Sequence, residues 1–248
     1  RALSGSSSEA RYAAAVLQAA GQGTAADPAA AAEDFKELAR KGDLQATYSL
    51  ARLIACGNGV PQSTTRAIAL FEHCGNYGLP LGLTAVGTIY KEGQLVEQDY
   101  AEAAKWFAQA ADAGCVNAQF ELGYAYTHGQ GVEADHAKAL HHFRIAAAAG
   151  QPAAQHNVAT HYQAGKGCDV DLDKAREYYE LAAAQGFTFS LINLGNMYNI
   201  GYGVEVDYEK AREYYAAAAP FSEDAQGLLD GVIEKIAKGE NAGDRAEG

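Results

Sequence analysis

A glycine returns every 36 residues along this chain of 248, at Gly21, Gly57, Gly93, Gly129, Gly165 and Gly201. A second column closes each copy at Gly42, Gly78, Gly114, Gly150 and Gly186, with Ser222 in the sixth place. Between them run an alanine column (Ala67, Ala103, Ala139, Ala175, Ala211) and an aromatic one (Phe35, Phe71, Phe107, Phe143, Tyr179, Tyr215). Four registered columns over six copies, without one insertion, mark a tandem repeat. A repeat of this length is one supersecondary unit, able to bury its apolar face only against its neighbours.

Each column has a mechanical reason. The first glycine falls where a helix must end in left-handed backbone, which only glycine adopts freely. Gly59, Gly131, Gly167 and Gly203 then keep the following loop compact, with Leu95 as the exception. Asp27, Asp99, Asp135, Asp171 and Asp207, and Ser63 in the remaining copy, stand just before a second helix. There an oxygen caps orphan amides and meets the positive helix end. Leu50, Val86, Leu122, Val158 and Leu194 form the inward column of the first helix, beside Gly87, Gly123 and Gly195. A mid-helix glycine costs about 1 kcal/mol relative to alanine, so a closely approaching neighbour is expected at each. Alanine pairs such as Ala110-Ala111 and Ala146-Ala147 let second helices pack tightly.

The expected fold is therefore all-α: a right-handed α-α superhelix, or solenoid, of six helical hairpins at 8–43, 44–79, 80–115, 116–151, 152–187 and 188–221. Residues 1–7 are expected to be disordered. A capping helix is expected within 222–238, with Leu228, Leu229, Val232, Ile233 and Ile236 as its apolar face, and a flexible tail at 239–248.

These columns resemble the Sel1-like repeat, a relative of the tetratricopeptide repeat. Its pattern is an Ala-x3-Leu-Gly-x2-Tyr helix, a Gly-x-Gly-Val turn, an Asp-x2-Lys-Ala helix start, and an aromatic followed by Ala-Ala-x2-Gly. Residues 118–150 and 190–219 carry it most fully, and the resemblance covers 8–221. Leu95, Ser63 and Pro220 depart from it, and the N-terminal copy is the most degenerate. The resemblance implies a protein-interaction scaffold whose first helices line the concave side of the superhelix.

Charge and chemistry narrow the function further. The net charge of -12 comes without any Lys/Arg-rich block, which argues against nucleic acid and anionic membrane surfaces as partners. No apolar run approaches the length needed for membrane insertion. Cys56, Cys74, Cys115 and Cys168 lack metal-ligand spacing and read as free thiols, with Cys56 and Cys74 as buried small hydrophobes. Free thiols favour the cytoplasm. Arg1 in place of Met suggests a trimmed N-terminus, so a periplasmic location stays open.

Six of the seven histidines fall between His128 and His161, but His142 occupies a packing column shared with Trp106, Tyr178 and Tyr214. His156 occupies the column of Phe120 and Ile192. No metal, cofactor or catalytic residue is expected, and the chain is not read as an enzyme.

What the columns leave unexplained is one face of the first helices, with side chains three or four residues apart. It comprises Ser49, Arg52 and Cys56; Ala85, Thr88 and Glu92; Glu121, Tyr124 and His128; Asn157, Thr160 and Ala164; and Asn193, Asn196 and Ile200. Residue type changes from copy to copy here while the core columns hold steady. Arg52, Thr88, Glu92, Glu121, Tyr124, His128, Asn157, Thr160, Asn193 and Asn196 are thus the candidate binding residues for a protein segment or peptide. The alternatives are a regulatory partner of a sensor or envelope enzyme, and a protein that binds or hydrolyses β-lactams or peptidoglycan. The last is suggested by cysteine-rich relatives, but their cysteine pair in each repeat is missing here. A monomer is expected, with the two ends as the place where a dimer would form.

Overall fold

The computed structural model describes residues 2–22 and 25–239, with side chains from residue 8 onward. Within them are thirteen α-helices, a single 3-10 turn and no strand. The helices are α1 (Ala2–Ala20), α2 (Pro28–Arg40), α3 (Leu44–Cys56), α4 (Thr64–Asn76), α5 (Leu81–Glu92), α6 (Tyr100–Asp112) and α7 (Val116–His128). They continue as α8 (His136–Ala148), α9 (Pro152–Ala164), α10 (Leu172–Ala183), α11 (Thr188–Ile200), α12 (Tyr208–Ala218) and α13 (Glu223–Ala237). The fold is of the helical-repeat solenoid class that the period predicts.

The chain forms two compact units, the first reaching to Ala125 with 129–133, the second comprising 126–128 and 134 onward. In the first, Phe35, Phe71 and Phe107 are buried on second helices, and Leu50, Val86 and Leu122 on first helices. In the second unit, Phe143, Tyr179 and Tyr215 continue the aromatic column, with Val158 and Leu194 as the inward partners.

Helix limits follow from local chemistry. Asp27, Ser63, Asp99, Asp135, Asp171 and Asp207 each accept a hydrogen bond from a backbone amide at the start of a second helix. Gly57, Gly93, Gly129, Gly165 and Gly201 end the first helices in left-handed backbone, at φ between 63° and 74°. The second turn glycine does more than keep its loop compact. A Cβ on Gly59 would enter the backbone of Pro28 and Ala29, one on Gly131 that of Tyr100 and Ala101, and one on Gly167 that of His136 and Ala137. Each turn thus rests on the start of the second helix in the preceding copy. Leu95 breaks the glycine column, and there its carbonyl accepts a hydrogen bond from Thr64 Oγ1 at 3.3 Å.

The mid-helix glycines are explained by rings. A Cβ on Gly87 would lie 2.6 Å from the Phe107 ring, and one on Gly195 would strike Tyr215. The close neighbour is therefore the aromatic column of the same hairpin.

The backbone is helical from Ala2, so α1 takes in residues 2–7. One sequence expectation needs correction. In α13, Leu228, Leu229, Val232 and Ile236 pack on Tyr208, Ala211 and Tyr215, whereas Ile233 is 46% exposed and points outward. Ser222 caps α13 through a bond from the Ala225 amide. Of the expected tail, residues 240–248 lie outside the described ones.

Candidate functional site

In the first unit, α3, α5 and most of α7 carry five of the candidate residues. Arg52 and Glu92 are exposed, and Tyr124 is 40% exposed. Thr88 is half-buried and donates its hydroxyl to Thr84 O at 3.0 Å, a bond within its own helix. Glu121 is engaged across copies, accepting from Lys91 Nζ at 2.9 Å. Around that pair and Tyr124 lies a crevice of about 10 Å³, room for about one water and no side chain.

The larger opening in this unit lies between α1 and α3 and encloses about 310 Å³. Val16, Ala20, Phe35 and Leu53 form its apolar walls, and Ser49, Arg52, Cys56 and Asn58 its polar side. Tyr12 Oη and Ser49 Oγ, 3.1 Å apart, tie the same two helices together. The sequence reading missed the α1 side of this cleft. Carrying the candidate stripe one period back would have found it, because Val16 and Ala20 stand 36 residues before Arg52 and Cys56. Cys56 is exposed here, correcting its expected burial: it occupies the last turn of α3 on the helix's outer face.

In the second unit, His128 is exposed at the end of α7, Asn157 and Thr160 lie half-buried on α9, and Asn193 and Asn196 on α11. Thr160 donates to Asn157 O at 2.8 Å. The asparagines of α11 have structural duties. Where the aromatic column changes from phenylalanine to Tyr179 and Tyr215, a buried hydroxyl reaches the first helix and must be paired. Tyr179 Oη donates to Gln163 Oε1 at 2.6 Å. Its pKa is pushed up to about 12 by burial, opposed by a hydrogen bond with Asn193. Tyr215 Oη donates to Asn196 Oδ1 at 2.7 Å. Asn199 Nδ2 lies 3.5 Å from that hydroxyl, and Asn199 Oδ1 accepts from Lys235 Nζ of α13 at 2.8 Å.

The repeated Asp-x2-Lys start builds a second feature of this unit. Lys138, Lys174 and Lys210 pair with the capping Asp135, Asp171 and Asp207, and sit 4.9–5.4 Å over the rings of Tyr126, Tyr162 and Tyr198. Those rings stack on His142, Tyr178 and Tyr214. His142 is thus a packing ring.

His156 hydrogen bonds Ser190 Oγ through Nδ1 at 3.0 Å among Tyr179, Phe187 and Phe189, and burial pushes its pKa down to about 4. His161 is buried against Phe143, with Nδ1 2.9 Å from Lys166 O; burial lowers its pKa too. Facing a carbonyl, which only accepts, Nδ1 carries the proton. Burial raises the Cys74 thiol to about 11, which keeps it protonated and poorly nucleophilic.

Among the described residues no group of three or more His, Cys, Asp or Glu side chains could hold a metal ion. No helix there is long and apolar enough to cross a membrane.

Comparison with known proteins places this arrangement. The Sel1 repeat pattern matches residues 8–43, 44–72, 80–115, 116–151, 152–187 and 188–219. Among solved structures, the chain is similar to c5321, a protective antigen present in uropathogenic Escherichia coli strains displaying an SLR fold. The TM-score is 0.79 at 30% identity, over 94% of this chain and 50% of that one. The chain thus spans about half the length of that protein. A Sel1 repeat protein from Oxalobacter formigenes gives a TM-score of 0.76 at 27% identity, over 87% and 88% of the two chains. Immunity protein Pa5087 from Pseudomonas aeruginosa, at 19% identity and a TM-score of 0.54 over 86% and 81%, shares the fold alone. No curated protein matches this sequence. Six copies covering most of its length, with the glycine turns and capped helices that define each one, make this chain a member of the Sel1 repeat family.

Proposed function

We propose that this chain is a non-catalytic interaction module that holds a segment of a partner protein against the outer faces of its first helices. Sel1 repeat proteins generally mediate protein–protein interaction, and their solenoid is typically a scaffold without catalysis. The observation that carries the reading is a contrast within each first helix. In α3, Leu50, Ala51 and Ile54 are buried while Arg52 and Cys56 are exposed; in α7, Leu122 and Gly123 are buried while Tyr124 and His128 are exposed. Exposed side chains that differ from copy to copy are where recognition chemistry can be set while the buried columns keep the fold. The second unit adds carboxamides at Asn157, Asn193 and Asn196. An amide both donates and accepts, so it can pair with either side of a peptide unit.

Selection of peptides displayed on phage, as internal segments of a coat protein, against the immobilised full chain tests this reading. The expected result is a peptide family whose binding weakens at least about tenfold, or about 1.4 kcal/mol, in one or more of Arg52→Glu, Tyr124→Ala and Asn157→Ala. Selected peptides that bind all three variants unchanged would place recognition elsewhere. Failure to select any peptide would count against segment binding itself.

A further inference from the structure

The cleft between α1 and α3 combines a mainly apolar lining with a single cation. Its 310 Å³ falls at the small end of ligand sites, the size of one large side chain rather than a long segment. Val16, Ala20, Phe35 and Leu53 form the larger, apolar part of the lining, which favours an apolar group, while Ser49 and Asn58 add a hydroxyl and a carboxamide beside it. At the rim stands Arg52, exposed, and none of the ion pairs among the described residues of this unit uses it. It is the one cation among the residues that line the cleft. A guanidinium presents a rigid fork that matches a carboxylate through two parallel bonds.

The occupant must therefore place a carboxylate beside an apolar side chain. An internal aspartate or glutamate has the charge but no apolar group on the same residue. An internal leucine or phenylalanine has the reverse. The residue that joins both at one Cα is an apolar residue at a polypeptide's C-terminus. We propose that this cleft receives the C-terminal residue of a partner polypeptide, its apolar side chain between α1 and α3 and its α-carboxylate on the Arg52 guanidinium. The assignment rests on the segment-binding reading above and names the end of the segment that anchors it. Val16 and Arg52 occupy the same position in successive copies, so the site is built by adjacent rungs of one stripe.

The test is a titration of the full chain followed by methyl resonances of Val16 and Leu53 and the Nε–Hε resonance of Arg52. The probe is N-acetyl-Gly-Gly-Phe-Leu with a free carboxylate. Controls are the same peptide as its C-terminal amide, a peptide ending in serine, and decanoate. Saturable shifts at those three residues are expected with the free acid, with binding at least tenfold weaker for the amide, for the serine peptide and, read at Val16 and Leu53, in Arg52→Gln. Arg52 is exposed, so this variant keeps the fold, which the unchanged remainder of the spectrum verifies. Equal binding of the amide, or shifts that do not saturate, would overturn the proposal. Decanoate binding at least as tightly as the peptide would do the same, making the cleft a site for free acids. Phage-displayed segments have no free C-terminus at the displayed peptide. Failure of this titration with success of that selection therefore removes the C-terminal site alone.

Discussion

Asn196 lies on the face proposed for recognition, yet its carboxamide oxygen accepts the buried Tyr215 hydroxyl at 2.7 Å. Substituting Asn196→Ala leaves that hydroxyl with Asn199 alone, at 3.5 Å, the outer limit of a useful bond. An unsatisfied buried polar group costs about 1–3 kcal/mol, and the residual contact with Asn199 puts the expectation at about 1–2 kcal/mol. In a chain of this size that lowers the melting temperature by about 2–8 °C. Tyr215→Phe is expected to cost less, about 0.5–1.5 kcal/mol. It removes the buried donor along with the bond and restores the residue found at Phe35, Phe71, Phe107 and Phe143. The half-buried Asn196 can then turn to water. The decisive quantity is the double variant. With the hydroxyl gone, removing Asn196 should add little, so the two single costs exceed the double by at least about 0.5 kcal/mol. Urea unfolding followed by helical circular dichroism at constant slope gives all four corners of the cycle. Additive costs would refute the pairing argument and return Asn196 to a purely recognition role.

Other expectations follow from the same geometry. His156 is neutral in the folded chain, with its pKa pushed down to about 4 against an ordinary 6.5, so the unfolded chain takes up the proton first. Stability is then full above pH 6.5 and falls as pH drops toward 4, by on the order of 2 kcal/mol, and His156→Phe should flatten that part of the urea midpoint against pH profile. Gly195→Ala drives a methyl into the Tyr215 ring and should cost about 1–3 kcal/mol by thermal unfolding. Gly227→Ala in α13, with nothing within 4 Å of the added carbon, should instead stabilise by up to about 1 kcal/mol. Asp207→Ala removes a cap accepted from Lys210 N at 2.9 Å and should cost about 0.5–2 kcal/mol.

The hairpins, their caps and their glycine ends were legible because each rests on backbone chemistry confined to a few neighbouring residues. Asp207 and Gly201 would behave alike in any helix of this form. The duties of Asn193 and Asn196 were not legible, although the cue was in plain view. The aromatic column changes from Phe143 to Tyr179 and Tyr215, and a buried hydroxyl always needs a partner. Finding which partner requires the distance across the hairpin. The cleft escaped notice for the opposite reason. Its α1 wall is made of Val16 and Ala20, whose side chains are too small to announce themselves in a degenerate first copy. Ala14 marks the same effect: it stands in the column of Leu50 and Val86 but is exposed.

The resting of each turn on the hairpin before it also governs how quickly such a chain can assemble. The paired residues stand 31 apart in the sequence wherever this contact occurs: 28 and 59, 100 and 131, 136 and 167, 172 and 203. The loop closed in forming each junction is therefore the same length for every copy, and adding copies lengthens none of them. Folding rate falls with the sequence separation of native contacts, so this protein should fold at the pace of a pair of hairpins rather than of a 248-residue chain. During synthesis a junction becomes closable as soon as some 31 further residues have emerged, and the apolar face of a finished hairpin waits only that long for its cover.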